Sequence, residues 1–377
     1  MVDSDRYDWT QLTTVAWNDD PDLTCKAHSA GARVVLDGRG ANSPSVYGNR
    51  TARRAWLAGQ VRLALDGNLD GVNFDMEDPL AVGDPLAAEY SALVAEAAEA
   101  FHRAIPGSQV SVDIPWSPHG IDGRNFDWAG LAKAADLLFV MAYDTQSQIW
   151  GRCVASANAP QALVRRGLQQ WLDLGVPARK LVLGLPWYGY RYPCANQAFA
   201  DGLDDVCELP PVSFQGCPCS DAAGRQFCFS DIQRSIRRGA SVAAGGRAAF
   251  NSNNSHSSSG MIGGLLLGSA SGPGGGLEAV LAGAEDAWFC EPPKEDPVQG
   301  SPYTRCFASG DPGRSMYQVW FDNPQSLERL YALAAEFRLR GVGMWNLDCL
   351  DYRCKDGACK DDTDAIAVAA TPHKLVL

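Results

Sequence analysis

The sequence predicts an α/β protein wound around a parallel sheet. Three observations predict it: seven short runs rich in β-branched and aliphatic residues, amphipathic stretches between them, and a pair of carboxylates closing the third run. The runs are residues 13–16, 33–36, 71–76, 109–114, 137–142, 181–186 and 342–345. Between the third and fourth, Leu86, Tyr90, Leu93, Ala97 and Phe101 recur at helical spacing. Before the seventh, Leu327, Leu330, Ala334 and Phe337 do the same, with Gly341 as the expected stop. Strand and helix in alternation imply right-handed crossovers and strands covered on both faces. Seven strands are one short of an eight-stranded barrel.

The length, 377 residues, admits two or three small domains or one large barrel. The residues are 46% hydrophobic and 20% charged, which excludes disordered and fibrous chains. A net charge of −12 opposes binding to nucleic-acid phosphates or anionic lipid, and no apolar run reaches the length of a membrane span, the longest being the Gly-interrupted 261–267. The acidic start carries no secretory signal pattern, so a leader is expected to have been removed or to be missing from it. Twelve cysteines without a zinc-like spacing point to an oxidising lumen, which the sequons at Asn49 and Asn253 also fit. Residues 239–276 differ from the rest: half are Gly or Ser, only Phe250 is aromatic, and none is acidic. That composition predicts a low-complexity, structureless insertion within a single domain spanning 1–377.

The third run carries the chemistry. In Asp70-Gly71-Val72-Asn73-Phe74-Asp75-Met76-Glu77, strand alternation turns Asn73, Asp75 and Glu77 to one face and Val72, Phe74 and Met76 to the other. Two carboxylates on the inner face of an apolar sheet cost desolvation energy. Such pairs raise one another's pKa into a range useful for acid catalysis. The plainer reading is that these acids, or Asp78 before Pro79, cap the next helix.

This octamer resembles the Asp-Gly-x-x-x-Asp-x-Glu motif of glycoside hydrolase family 18, the chitinase-like (β/α)8 barrels. Met141-Ala142-Tyr143-Asp144 resembles the family's Met-x-Tyr-Asp strand end, 183–189 with Trp187 the next strand, and Gly343-Met344-Trp345 the last. The likeness runs from about residue 7 to 352. Ala27-His28-Ser29, the segment 143–150, Ser220-Asp221 and Trp320-Phe321-Asp322-Asn323-Pro324 narrow it to members that trim the chitobiose core of asparagine-linked glycans in lysosomes. The family begins with a strand that has no counterpart here, so the resemblance implies a (β/α)8 barrel lacking its first strand at the N-terminus.

The resemblance also implies substrate-assisted retaining hydrolysis of β-1,4-linked N-acetylglucosamine. It assigns Glu77 as the acid, Asp75 as the anion that orients the acetamido N–H, and Tyr143 as donor to the acetamido carbonyl. Substrate contacts are expected from Trp345 as an aromatic floor, and from Asp144, Asn73, Met141 and Trp187. No metal or cofactor is called for. The expected partners are N-acetylglucosamine oligosaccharides, bound by a monomer. Asn73 stands where many relatives have Asp, so Asp75 is expected to have no like charge below it and to couple mainly to Glu77. The five histidines show no metal spacing. Cys194 and Cys207 could close a loop, and Cys217-Pro218-Cys219 and Cys349-x4-Cys354-x4-Cys359 read as disulfide cysteines whose pairing stays open. Two readings compete with an enzyme: a lectin-like barrel, against which Glu77 speaks, and an inactive truncated product.

Overall fold

Strands buried on both faces must be apolar along their length, and two of the predicted runs are buried at every residue: Leu137–Met141 and Leu181–Pro186. The computed structural model describes residues 4–16, 20–38, 40–196, 205–252, 288–308, 315–353 and 375–376. In chain order it begins with β1 (Leu12–Ala16), α1 (Pro21–Ser29), β2 (Arg33–Asp37), α2 (Pro44–Tyr47), α3 (Arg50–Asp66), β3 (Gly71–Phe74) and α4 (Leu86–Ala104). Then come β4 (Gln109–Pro115), α5 (Trp128–Ala134), β5 (Leu137–Met141), α6 (Gln161–Asp173) and β6 (Leu181–Pro186).

Between β6 and the next barrel strand lies an antiparallel sheet that the sequence reading did not foresee. It is built from β7 (Tyr188–Pro193), β8 (Arg225–Cys228), β9 (Trp288–Cys290), β10 (Lys294–Asp296), β11 (Ser301–Ala308) and β12 (Met316–Trp320), with α7 (Phe229–Ser252) following β8. The chain returns through α8 (Pro324–Glu336) to β13 (Gly341–Trp345) and ends in β14 (Leu375–Val376). The barrel closes in the order β1-β14-β13-β6-β5-β4-β3-β2, every pair parallel. The eighth place, for which sequence analysis finds no strand, is taken by β14, with Leu375 beside both Leu12 and Val342. A strand of two residues shows no period.

Helix ends follow local chemistry. Asp20, Asn49, Asp127 and Asn323 each accept backbone N–H groups at the start of a helix, and Asn323 forms a reciprocal capping box with Ser326. The predicted faces are the buried ones, Tyr90, Leu93, Ala97 and Phe101 on α4 and Leu327, Leu330 and Ala334 on α8. The stop differs: α8 ends at Glu336, with Arg338 in the left-handed region at φ 53°, and Gly341 opens β13 instead. The low-complexity reading is corrected for 239–252, which continue α7. A Cβ at Gly239 would lie 1.9 Å from the Cys290 carbonyl oxygen, so this glycine allows the helix to press on β9. Residues 253–276, with the sequon at Asn253, lie outside the described residues.

Four disulfides are formed among the described residues: Cys153–Cys219, Cys194–Cys207, Cys228–Cys349 and Cys290–Cys306. Cys217 is corrected to a free, buried thiol, and Cys25 is free and exposed; Cys354 and Cys359 lie outside the described residues. No helix among the described residues is long and apolar enough to cross a membrane.

Candidate active site

The C-terminal ends of parallel barrel strands deliver side chains to one mouth. At β3 the alternation persists past the last strand residue: Val72, Phe74 and Met76 are buried against the helices, while Asn73, Asp75 and Glu77 face the other way. Gly71 makes the entry possible. Its φ is 150°, and a Cβ there would sit 1.8 Å from the Gln109 carbonyl oxygen on β4. Neither acid caps the following helix. That helix starts at Leu86, whose N–H donates to Asp84.

Asn73 is pinned by the neighbouring strand, donating to Asp113 Oδ2 at 2.8 Å and accepting from Ser111 Oγ at 2.7 Å. Asp113 is the carboxylate that sequence reasoning missed, although Ser111 and Asp113 alternate on β4 as Asn73 and Asp75 do on β3. It corrects the expectation that Asp75 has no like charge beneath it. Burial first, and Asp75 second, hold the Asp113 carboxyl well above the ordinary range, against the pull of the Asn73 amide. Asp75 itself is pushed up to about 6, by loss of water around it, then by Glu77, with Arg124 opposing. The expected coupling to Glu77 is therefore the strongest charge effect on Asp75, and a third acid joins the pair.

Glu77 reaches into a cavity of about 210 Å³ at the mouth, together with Met141, Tyr143 and Asp144 from the end of β5. Its carboxylate lies 3.1 Å from an Arg124 nitrogen. Tyr143 sits edge-on to Tyr188, and burial followed by the surrounding carboxylates keeps its hydroxyl protonated far above its usual range. Asp144 takes a left-handed conformation at φ 50°, its N–H donating to Asn158 Oδ1 at 2.7 Å and its Oδ1 accepting from Tyr188 at 2.5 Å. Burial raises its carboxyl to about 6 although Tyr188 and Tyr190 donate to it.

Other groups line this cavity that sequence reasoning did not assign to the site, although Asp221 stood in a segment that carries the resemblance. Tyr190 and Asp221 come from the antiparallel insertion, and Asp122, Arg124 and Trp116 from the segment after β4. Asp221 is raised to about 7 by burial, then by Asp144 and Asp122. Its N–H donates to Gln146 at 2.9 Å, and the Cys153–Cys219 disulfide ties the same two loops together. This arrangement fixes Asp221 across from Asp144.

Two predicted substrate contacts stand apart. Trp345, at the end of β13, is 50% exposed but does not line the cavity. Trp187 is 2% exposed, and its indole N–H donates to the Tyr331 hydroxyl at 3.0 Å. It is a core residue between the barrel and α8, and it offers no face to a ligand. Asn73, a third predicted substrate contact, does not line the cavity either, nor does Asp75. Among the described residues no group of three or more His, Cys, Asp or Glu is arranged to hold a metal.

Residues 21–349 match glycosyl hydrolases family 18. The chain is 39% identical over 369 residues to the di-N-acetylchitobiase of Rattus norvegicus, covering 97% of this chain and 84% of that protein. It is 37% identical over 371 residues to the di-N-acetylchitobiase of Homo sapiens, covering 98% and 81%. Solved structures of similar fold include a class V chitinase of Nicotiana tobaccum in complex with NAG4, with a TM-score of 0.64 at 15% identity over 98% of this chain and 96% of that one. A family GH18 chitinase of Cycas revoluta in complex with allosamidin gives 0.60 at 17%, over 93% and 84%.

Proposed function

The chain belongs to glycosyl hydrolases family 18 and is a glycosidase, and from that premise we propose that it hydrolyses β-1,4-linked N-acetylglucosamine, including the chitobiose core of asparagine-linked glycans, by substrate-assisted retention. The observation that carries the reading is the convergence of Glu77, Tyr143 and Asp144 on one cavity, with Asp75 beside Glu77.

The acetamido carbonyl of the sugar attacks its own anomeric carbon, so no side-chain nucleophile is needed. Glu77 gives its proton to the departing glycosidic oxygen. Asp75 accepts the acetamido N–H and stabilises the positive charge that develops on the cyclised ring. Tyr143, whose hydroxyl stays protonated, donates to the acetamido oxygen as it becomes the nucleophile's anchor. Asp144 and Tyr188 form a donor and acceptor pair for a sugar hydroxyl. The half-exposed ring of Trp345 at the end of β13, outside the cavity lining, offers an apolar face to the pyranose C–H groups of a sugar that extends beyond the cavity. With Asp144 near 6 and Asp221 near 7, these two acids outside the acetamido contacts hold protons in a mildly acidic lumen, which fits a lysosomal site of action; the enzyme is proposed to act as a monomer. A lectin-like barrel would have no use for a carboxylic acid at Glu77.

The test is Glu77→Gln assayed on an N-acetylglucosamine disaccharide. The expected result is normal folding with turnover reduced roughly 10³-fold or more; turnover near that of the parent protein would sink the assignment.

A further inference from the structure

The acid of this site does not stand free. After β4 the chain turns through three left-handed residues, Gly120, Asp122 and Gly123, and is laced to the segment after β3. Leu80 N–H donates to the Gly123 carbonyl at 3.0 Å, and Asn125 Nδ2 donates to the Leu80 carbonyl at 2.8 Å. That lacing brings the Arg124 guanidinium over Glu77. Its Nε donates to the Glu77 backbone carbonyl at 3.1 Å, and Nη2 lies 3.1 Å from Glu77 Oε1. The same Nη2 lies 3.4 Å from Asp122 Oδ2. Arg124 is only 11% exposed, whereas the Glu77 side chain it holds is 51% exposed. Asp122 lines the cavity at 8% exposure, and its Oδ1 is buried with no hydrogen-bond partner.

A general acid must present its proton to one oxygen in one place. A half-exposed glutamate on a loop has too much freedom for that, and a guanidinium is a rigid fork that fixes a carboxylate. Arginine cannot itself supply the proton, because it stays charged throughout the working range. The contact that orients Glu77 must therefore loosen as the carboxyl takes up its proton. Asp122 offers the released guanidinium a second carboxylate, with one oxygen already waiting unpaired. The titratable and charged groups around Glu77 are Asp75 from β3, Asp113 from β4, Tyr143 and Asp144 from β5, and Arg124 with Asp122; Arg124 is the one cation in this set.

We infer that Arg124 is a positioning residue of the acid, and that Asp122 is the alternative anchor that holds Arg124 while Glu77 carries its proton, Arg124 returning to the Glu77 carboxylate as that proton is given up. The inference rests on Glu77 being the acid. It concerns proton delivery to the leaving group alone, which separates it from a role in binding or folding.

The experiment compares two substrates in the parent protein, Arg124→Ala, Arg124→Lys and Asp122→Asn. One substrate is an N-acetylglucosamine disaccharide, whose departing sugar needs a proton. The other is the 2,4-dinitrophenyl glycoside of N-acetylglucosamine, whose phenolate leaves without one. The expected kcat loss for Arg124→Ala is about 30-fold or more on the disaccharide and under about 3-fold on the aryl glycoside. Asp122→Asn is expected to show the same selectivity at about 5-fold, and Arg124→Lys to recover part of the loss. Equal losses on both substrates, or no loss on either, overturn the inference. Glu77→Gln run alongside must show the same selectivity: if it does and the Arg124 variants do not, the inference alone fails, and if it does not, the assignment of the acid fails first.

Discussion

At the entry ends of the barrel strands, Asp70 and Asp136 each accept a backbone N–H from the neighbouring strand, Val34 and Val110, both at 2.8 Å. Each also meets a histidine, His28 at 2.8 Å and His102 at 2.9 Å. At the exit ends, Asp113, Asp75, Glu77, Asp144 and Asp221 face one another, with Arg124 as the cation that counters Asp75 and pairs with Glu77. The same residue type thus serves two purposes on one sheet. Where each carboxylate has its own donors, it ties one strand to the next. Where carboxylates are crowded and dry, the fold bears their cost, and the return is chemistry.

The contrast is sharpened most by Asp75→Asn. It keeps the shape and removes the anion, so kcat on an N-acetylglucosamine disaccharide is expected to fall about 10²- to 10³-fold while thermal stability holds or rises. Next comes Tyr143→Phe, which takes away the proposed donor to the acetamido oxygen and is expected to reduce kcat about 10- to 100-fold with little change in KM. At the other end of the barrel Asp136→Ala leaves the Val110 N–H without its acceptor. A stability loss of about 1 to 2 kcal/mol in denaturant unfolding, with kcat unchanged, is the expected outcome; a large loss of kcat there would break the division between the two ends.

The smallest effect is a pH dependence of stability. The carboxyls of Asp75, Asp144 and Asp221 hold their protons more tightly in the folded protein than in the unfolded chain, at about 6, 6 and 7. Below about pH 4 both states are protonated and the fold has its full stability. As pH rises through 6 to 7 the folded state must ionise these groups, and that stability is lost. The melting temperature is therefore expected to fall by about 2 to 5 °C between pH 5 and pH 8. Asp221→Asn should flatten part of this slope. Asp75 and Asp144, with Asp322, which is buried and also raised to about 6, keep the remainder.

Much of this architecture could be read from the chain. Strands 137–141 and 181–186 announce themselves because a parallel strand covered on both faces is apolar throughout. The acidic end of β3 is legible because strand alternation continues past Phe74 to Glu77. What was hidden has physical reasons. The Tyr-Gly-Tyr-Arg-Tyr run of β7 alternates as a strand does, but only Trp187 separates it from β6, so nothing marks it off as a strand of another sheet, and the inserted sheet, and Tyr190 with it, went unseen. Arg124 reaches the site through a loop shaped by three left-handed residues, a geometry that no periodicity encodes. Trp187 misled because a motif position does not say which face a ring presents. Here it faces Tyr331. Asp113 was available in the alternation of Ser111 and Asp113, and it needed only the register that sets β4 beside β3.

The central claim is that the substrate's acetamido oxygen, and no side chain, is the nucleophile at this mouth. The most direct test compares kcat for an N-acetylglucosamine disaccharide with kcat for the same disaccharide bearing a trifluoroacetamido group at the bond being cleaved. Fluorination weakens that oxygen as a nucleophile and barely changes its size. Substrate assistance predicts a fall of about tenfold or more. Equal kcat values for the two would place the nucleophile on the protein and contradict the account.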